Sequence, residues 1–291
     1  MGDQWGPVQV TDPFDLSESE SARLFPAIGA IKVAPRKRNM GRRRFYAPSG
    51  AFKSHSQTVT LETDEARHLR EVLRLKPGDE VYVFDGAGRE FRCEIESSRR
   101  DTAVLKILEE VEPARPESTL QLTLAVALLK SDKFDLVVQK ATELGVVRLV
   151  PVMTKLADIK LKDESDSQKR LLRWRRIALE AAKQSGRALV LEIATPVSFS
   201  EMIASGNSAA YKILFSERGG LSTDSLPAEM SRDSYAITAL IGSEGGWTDV
   251  ELEEAKAAGW FVITLGGRIL RAETAAIAII TLMQHLFGDL K

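Results

Sequence analysis

Two glycine-rich stretches carry the residues with the most chemical potential in this 291-residue chain. One is IGSEGGWTDVE from Ile241 to Glu251, and the other is LGGRILRAETA from Leu265 to Ala275. Each follows an apolar run, YAITAL or WFVIT, and each leads into a helix-forming sequence. Glycine allows positive φ and lets a ligand or a second backbone come close. Thr248 and Glu251 have the spacing of a capping box, which predicts a helix beginning at Thr248 with its free amides facing the same space. A strand, a bare loop and a helix start together describe a binding crevice, and two such loops at the ends of neighbouring strands can share one. Arg268 and Arg271 add positive charge beside it. The other routes to chemistry are thin. The first loop of the second half, LLKSDKFDL, has no GxGxxG, and no GxxxxGK[ST] occurs anywhere, which argues against a dinucleotide fold or a P-loop. His55, His68, His285 and Cys93 are too widely spaced for a zinc signature, so no metal is expected.

The elements that must hold these loops are legible in the hydrophobic pattern. After Leu120 apolar runs (LTLAVALL, VRLVPV, ALVLEI, YKILF, YAITALIG, WFVITLG) alternate with helical stretches (DKFDLVVQKATELG, QKRLLRWRRIALEAAKQSG, TDVELEEAKAAG, AETAAIAIITLMQHLF). This alternation predicts a mostly parallel sheet covered on both faces, whose ligands bind beyond the carboxyl ends of the strands. The last helix carries one full charge, Glu273, so it is expected to be buried on nearly all sides, in a core or an interface. Upstream, from Phe45 to about Val111, short β-rich segments bounded by LKPGDE and FDGAG suggest a small β-barrel with one helix near ARHLREVLR. Residues 113–119, with two prolines and no apolar period, read as a linker. Residues 1–40 hold four prolines and an acidic then a basic run without sustained period, and read as an extension outside the core.

Composition narrows the function classes. Forty basic residues stand against 41 acidic ones, so polyanion binding must come from local clusters. Two exist: six Arg or Lys between Arg36 and Arg44, and seven between Lys169 and Arg187. Such clusters suit phosphate neutralisation, although a charge run is more often a solvated face. One cysteine excludes an intramolecular disulfide and fits a reducing compartment. The longest apolar run, Ala275 to Ile280 and its extension, falls far short of the roughly 20 residues of a membrane span. No secretory signal pattern opens the chain, so a soluble, cytoplasmic protein is expected.

IGSEGG, LGGRILRAETA, DKFDLVVQKATELGV and KQSGR, together with HLREVLRLKPGDEVYVFDG in the first domain, resemble the ribosomal RNA methyltransferases that methylate the ring imino nitrogen of a uracil in small-subunit RNA. The resemblance spans residues 42 to 290. It implies α/β architecture of the SPOUT superfamily: a PUA-like β-barrel over 41–112, then a methyltransferase domain over 120–291 with a C-terminal trefoil knot. It also implies S-adenosylmethionine as cofactor, 16S ribosomal RNA or the assembled small subunit as substrate, and a homodimer formed through the knot.

Carried onto this sequence, the resemblance assigns the cofactor to three loops. These are Leu214, Phe215, Ser216 and Glu217; Ile241, Gly242, Glu244, Gly245 and Gly246; and Leu265, Gly266, Arg268, Ile269 and Leu270. Arg271 is the first candidate for stabilising the uracil anion and Arg187 the second. RNA contact falls to Arg42, Arg43, Arg44, Arg173, Arg176, Lys183 and Arg187. For an arbitrary arginine the alternative is a helix-end or surface ion pair. His68 reads as a packed helix residue, and Lys140 with Glu143 as an intrahelical pair. The chain departs from the family pattern at Ser243, where proline is usual, at Lys183, where glutamate is usual, and at Thr154–Leu156. Those departures support one competing reading, a noncatalytic RNA-binding homologue. A nicotinamide-dependent oxidoreductase is disfavoured by the missing early glycine fingerprint.

Overall fold

Period-2 alternation and continuous apolar runs produce two different sheets. The computed structural model describes residues 42–53, 55–205, 211–226 and 236–290. The extension expected over 1–40 lies outside the described residues.

The first sheet contains β1 (Arg44–Tyr46), β2 (Phe52–Lys53), β3 (Thr58–Glu62), β4 (Glu80–Phe84), β5 (Glu90–Ser98) and β6 (Thr102–Val111). Helix α1 (Thr63–Arg67) runs on through a π turn to Val72, overlapping the stretch ARHLREVLR that predicted a helix but starting three residues earlier. The strand order is β1-β4-β5-β6-β3-β2, antiparallel except for β1 beside β4. Alternate residues Val59 and Leu61, Val81 and Val83, and Cys93 and Ile95 enter its core, as a half-buried strand requires. Of the expected barrel the described strands form a half-barrel sheet, with β1 and β2 as its edges and no described strand pair closing the ring. Two register shifts between β5 and β6, at Arg92/Cys93 and Ile95/Ser97, add local bend and twist.

The second sheet is parallel throughout. Its strands are β7 (Gln121–Ala127), β8 (Arg148–Met153), β9 (Glu192–Ile193), β10 (Val197–Ser198), β11 (Tyr211–Phe215), β12 (Leu221–Ser222), β13 (Ala236–Ile241) and β14 (Phe261–Thr264). They order as β10-β8-β7-β13-β11-β14-β12, with β9 beside β8. Helices α2 (Ser131–Glu143), α3 (Glu164–Ser185) and α6 (Ala272–Phe287) pack a core with Phe134, Trp174 and Ile279. Helices α4 (Phe199–Ala204) and α5 (Asp249–Ala257) belong to a second core with Phe199, Trp247 and Trp260. Residues of one strand divide between the two cores, Ile213 and Phe215 in the first and Leu214 in the second, so both faces are covered as expected.

Helix boundaries follow local chemistry. Asp163 caps α3 by accepting from the Asp166 amide, and Gly186, at φ +84°, ends it. Thr248 and Glu251 form the predicted capping box on α5. Helix α6 buries one side within the chain. Ala276, Ile279, Ile280 and Met283 are buried, whereas Thr274, Thr281, His285 and Leu286 remain exposed in the single chain.

The segment over 113–119 is tied down at three points rather than loose. The Ala114 amide donates to Glu90, Glu117 accepts from Arg187, and Ser118 donates to Gln284 of α6. Arg44 of β1 joins the two sheets. It pairs with the fully buried Glu90 and donates to the carbonyls of Lys183 and Arg187 at the end of α3. Among the described residues no helix is long and apolar enough to cross a membrane, and no acidic, His or Cys cluster could hold a metal ion.

Candidate active site

Parallel pairing brings three carboxyl ends together. Phe215, the last residue of β11, registers with Ile241 at the end of β13 and with Ile263 in β14, so the loops after these strands emerge side by side. Between them lies a small crevice, partly open to solvent, with a cavity volume of about 80 Å³. One wall is Phe215, Ser216 and Glu217, another is Ile241, Gly242, Ser243, Gly246 and Trp247, and a third is Thr264, Leu265, Gly266, Arg268 and Leu270. Ala272, Ala275 and Ile279 of α6 complete it.

Hydrogen bonds fix the loops to one another. The buried Trp247 indole donates to the Phe215 carbonyl at 2.9 Å. Arg218 donates to the Trp247 carbonyl at 2.9 Å and to Asp249 at 2.6 Å, and the Gly220 amide donates to Thr264 Oγ1 at 3.1 Å. Gly246 sits at φ +69°, and a Cβ there would lie 2.5 Å from Glu217 Oε1. Gly266 is also left-handed and faces open space. Ser243 Oγ is buried without a hydrogen-bond partner, a costly state unless something else completes it.

At the rim, Lys133 of α2 donates to Glu244 Oε1 at 2.5 Å. That hydrogen bond holds the Glu244 carboxyl below the usual range and the Lys133 ammonium above it. Arg271 is the N-cap residue of α6, extended in backbone and exposed in side chain, and its positive charge weakly repels that of Lys133.

The expected cofactor residues divide accordingly. Phe215, Ser216, Glu217, Ile241, Gly242, Gly246, Leu265, Gly266, Arg268 and Leu270 line the crevice. Leu214 does not, since strand alternation turns it into the opposite core. Ile269 is 87% exposed, and Glu244 points to Lys133. Gly245 serves packing, because a Cβ there would meet the Leu156 carbonyl at 2.9 Å. Sequence reasoning missed Trp247, Thr264 and the small residues of α6, whereas Ser243 fell within the expected loop Ile241 to Gly246. The usable signal for Trp247 was a tryptophan directly behind a glycine loop.

Arg187 is corrected on both counts. Its guanidinium is buried, pairs with Glu117 and donates to the Thr142 and Val146 carbonyls at the end of α2, so it neither faces the crevice nor meets solvent. Arg44 is likewise committed to Glu90 and to α3, and Arg42 shares Glu90. Arg173 pairs with Asp135, and Lys183 with Glu65 and Glu180. Arg43 and Arg176 are exposed. Arg176 and Lys183 also line a broad groove between α3 and the Tyr46, Glu62 and His68 region of the first sheet. His68 packs edge-on against Phe45, and Lys140 pairs with Glu143, as expected.

Residues 116–284 match the RNA methyltransferase domain model, and residues 61–108 match the RNA methyltransferase PUA domain model. The ribosomal RNA small subunit methyltransferase E of Synechocystis is 34% identical over 88% of this chain and 82% of its own. That of Bacillus subtilis is 29% identical over 78% and 90%. The chain is also similar to a solved ribosomal RNA small subunit methyltransferase E from Neisseria gonorrhoeae bound to S-adenosyl methionine, with 34% identity, TM-score 0.76 and coverage of 86% and 100%. A methyltransferase from Legionella pneumophila solved with the same cofactor gives 28% identity, TM-score 0.76 and the same coverage.

Proposed function

The chain belongs to the ribosomal RNA small subunit methyltransferase E family, S-adenosylmethionine-dependent rRNA methyltransferases, and on that premise we propose that it methylates the ring imino nitrogen of one uridine in 16S ribosomal RNA. The observation that carries this reading is the crevice in which three strand-end loops meet around an uncompensated Ser243 hydroxyl.

The residues present fit the cofactor. Ile241, Leu265 and Leu270 offer apolar contact to a purine, while Glu217 and Ser243 offer polar partners to hydroxyl and amine groups. Gly242, Gly246 and Gly266 let main-chain atoms approach without a side chain in the way. When bound, S-adenosylmethionine supplies a methyl group on a positively charged sulfur, ready for in-line displacement. Positioning by the loops then provides most of the catalysis. The uracil imino nitrogen must give up its proton, to water at the open side of the crevice, and the exposed guanidinium of Arg271 stabilises the charge that develops on the carbonyls.

The 16S RNA or the assembled small subunit is the proposed substrate. Arg43 and Arg176 are available to phosphates, whereas Arg42, Arg44, Arg173 and Lys183 already hold protein carboxylates. A C-terminal trefoil knot is part of the proposal. Its support is the path of α6, which leaves β14 near one edge of the sheet and returns to pack on β7, β13 and α2. The same helix leaves Leu286 exposed and Ile277, Ala278 and Leu282 half-buried, an apolar strip suited to a second copy in a homodimer. The proposed location is the cytoplasm, where ribosomal RNA is modified.

Calorimetric titration with S-adenosylmethionine tests the reading. One site per chain is expected. Absence of binding would overturn it in favour of a noncatalytic RNA-binding homologue.

A further inference from the structure

Lys133 stands in the first turn of α2, outside the lining of the crevice, yet its ammonium reaches two of the elements that form it. Nζ lies 2.5 Å from Glu244 Oε1 in the glycine loop after β13 and 3.8 Å from Glu273 Oε2 in the first turn of α6. Both neighbours matter for shape. Glu244 stands between crevice residues Ser243 and Gly246, and Glu273 follows the crevice residue Ala272 and the exposed Arg271.

The electrostatics make the lysine hard to replace. Glu273 Oε2 is buried and accepts no hydrogen bond, and among the described residues Lys133 is the cation recorded within ion-pair distance of it. Remove the ammonium, and two carboxylates within 3.8 Å of one point face each other, Glu273 largely buried and Glu244 at the exposed rim. Like charges so placed repel. The loop and the start of α6 would then move apart, widening the crevice and carrying Arg271 with them.

We propose that Lys133 is a positioning residue for methyl transfer: it clamps the Gly242–Gly246 loop to the amino-terminal turn of α6 and so sets both the width of the crevice and the place of Arg271. This rests on the reading that the crevice takes S-adenosylmethionine. The clamp is not a catalytic group, since Lys133 acts through Glu244 and Glu273.

The test uses the full chain carrying Lys133→Met, Glu244→Gln, both together, or Lys133→Arg. Cofactor affinity is read by calorimetry, the melting temperature without cofactor by scanning calorimetry, and kcat and KM with small subunits that lack the modification. Lys133→Met is expected to weaken S-adenosylmethionine binding by roughly three- to tenfold, as for a partly buried pair whose removal also leaves repulsion. It should lower kcat, leave KM for the subunit unchanged and barely move the melting temperature. Adding Glu244→Gln should recover part of the affinity, and Lys133→Arg should recover most of it. Wild-type affinity and kcat in Lys133→Met would overturn the proposal. So would a second loss on adding Glu244→Gln, or a large drop in melting temperature with unchanged affinity. Failure of the unmodified protein to bind the cofactor is a separate outcome, and it refutes the reading of the crevice instead.

Discussion

Gly246 is where backbone conformation and the crevice meet, and alanine there has two separable effects. Its φ of +69° is left-handed, so a Cβ costs about 1–2 kcal/mol in strain alone. Gly259, at φ +80° with nothing within 4 Å of an added Cβ, carries the same strain without a neighbour. The Gly246 Cβ would in addition sit 2.5 Å from Glu217 Oε1, where ordinary contact begins at 3.4 Å. The carboxylate must therefore swing away, and it lines the crevice. In a protein of this size each 1 kcal/mol lowers the melting temperature by roughly 2–4 °C. Gly246→Ala and Gly259→Ala should fall by similar amounts in scanning calorimetry. Only Gly246→Ala should lose affinity for S-adenosylmethionine, about tenfold if the displaced carboxylate forfeits about 1.4 kcal/mol of contact. Equal cofactor affinity in the two variants would refute the placement of the ligand between Glu217 and the glycine loop.

Four further outcomes follow from named contacts. If its charge acts, as proposed, only as the uracil loses its proton, Arg271→Ala should lower kcat on the order of a hundredfold while cofactor affinity stays unchanged; equal losses in both would refute that role. Arg187→Met should lower stability in urea by about 2–3 kcal/mol, since it strands Glu117 and two helix-end carbonyls. Glu244 has a folded pKa below its ordinary 4.5, so its contribution is present above that value and is lost as pH falls through the lowered one; cofactor affinity should stay level near neutral pH and weaken on acidification. Light scattering should return twice the 32.1 kDa chain mass, and Leu286→Arg, on the exposed side of α6, should return the single mass.

The sequence exposes the periodic parts of this protein and hides the long-range ones. Continuous apolar runs predicted a parallel sheet covered on both faces, and Thr248 with Glu251 predicted a helix start, because each signal is local. The convergence of three loops was legible in outline, since glycines and strand ends mark it. Which side chain of YKILF faces the ligand was not, because β11 is buried on both faces and gives no polar alternation to fix Leu214. Arg187 and Arg44 were misread for a related reason. An arginine in a basic run looks solvated until its partners, Glu117 and Glu90, arrive from 70 and 46 residues away. Lys133 gave no local sign at all, because its partners lie on two later elements of the chain.

The central claim is the chemistry at the uracil ring, and nucleoside mass spectrometry tests it most directly. Small subunits from a strain lacking the modification would be incubated with the protein and S-adenosylmethionine, and their RNA then digested to nucleosides. The account predicts that N3-methyluridine appears at one position of the 16S RNA and only when both protein and cofactor are present. Bound cofactor with no methyl transfer, or a methyl group on a different base, would contradict it.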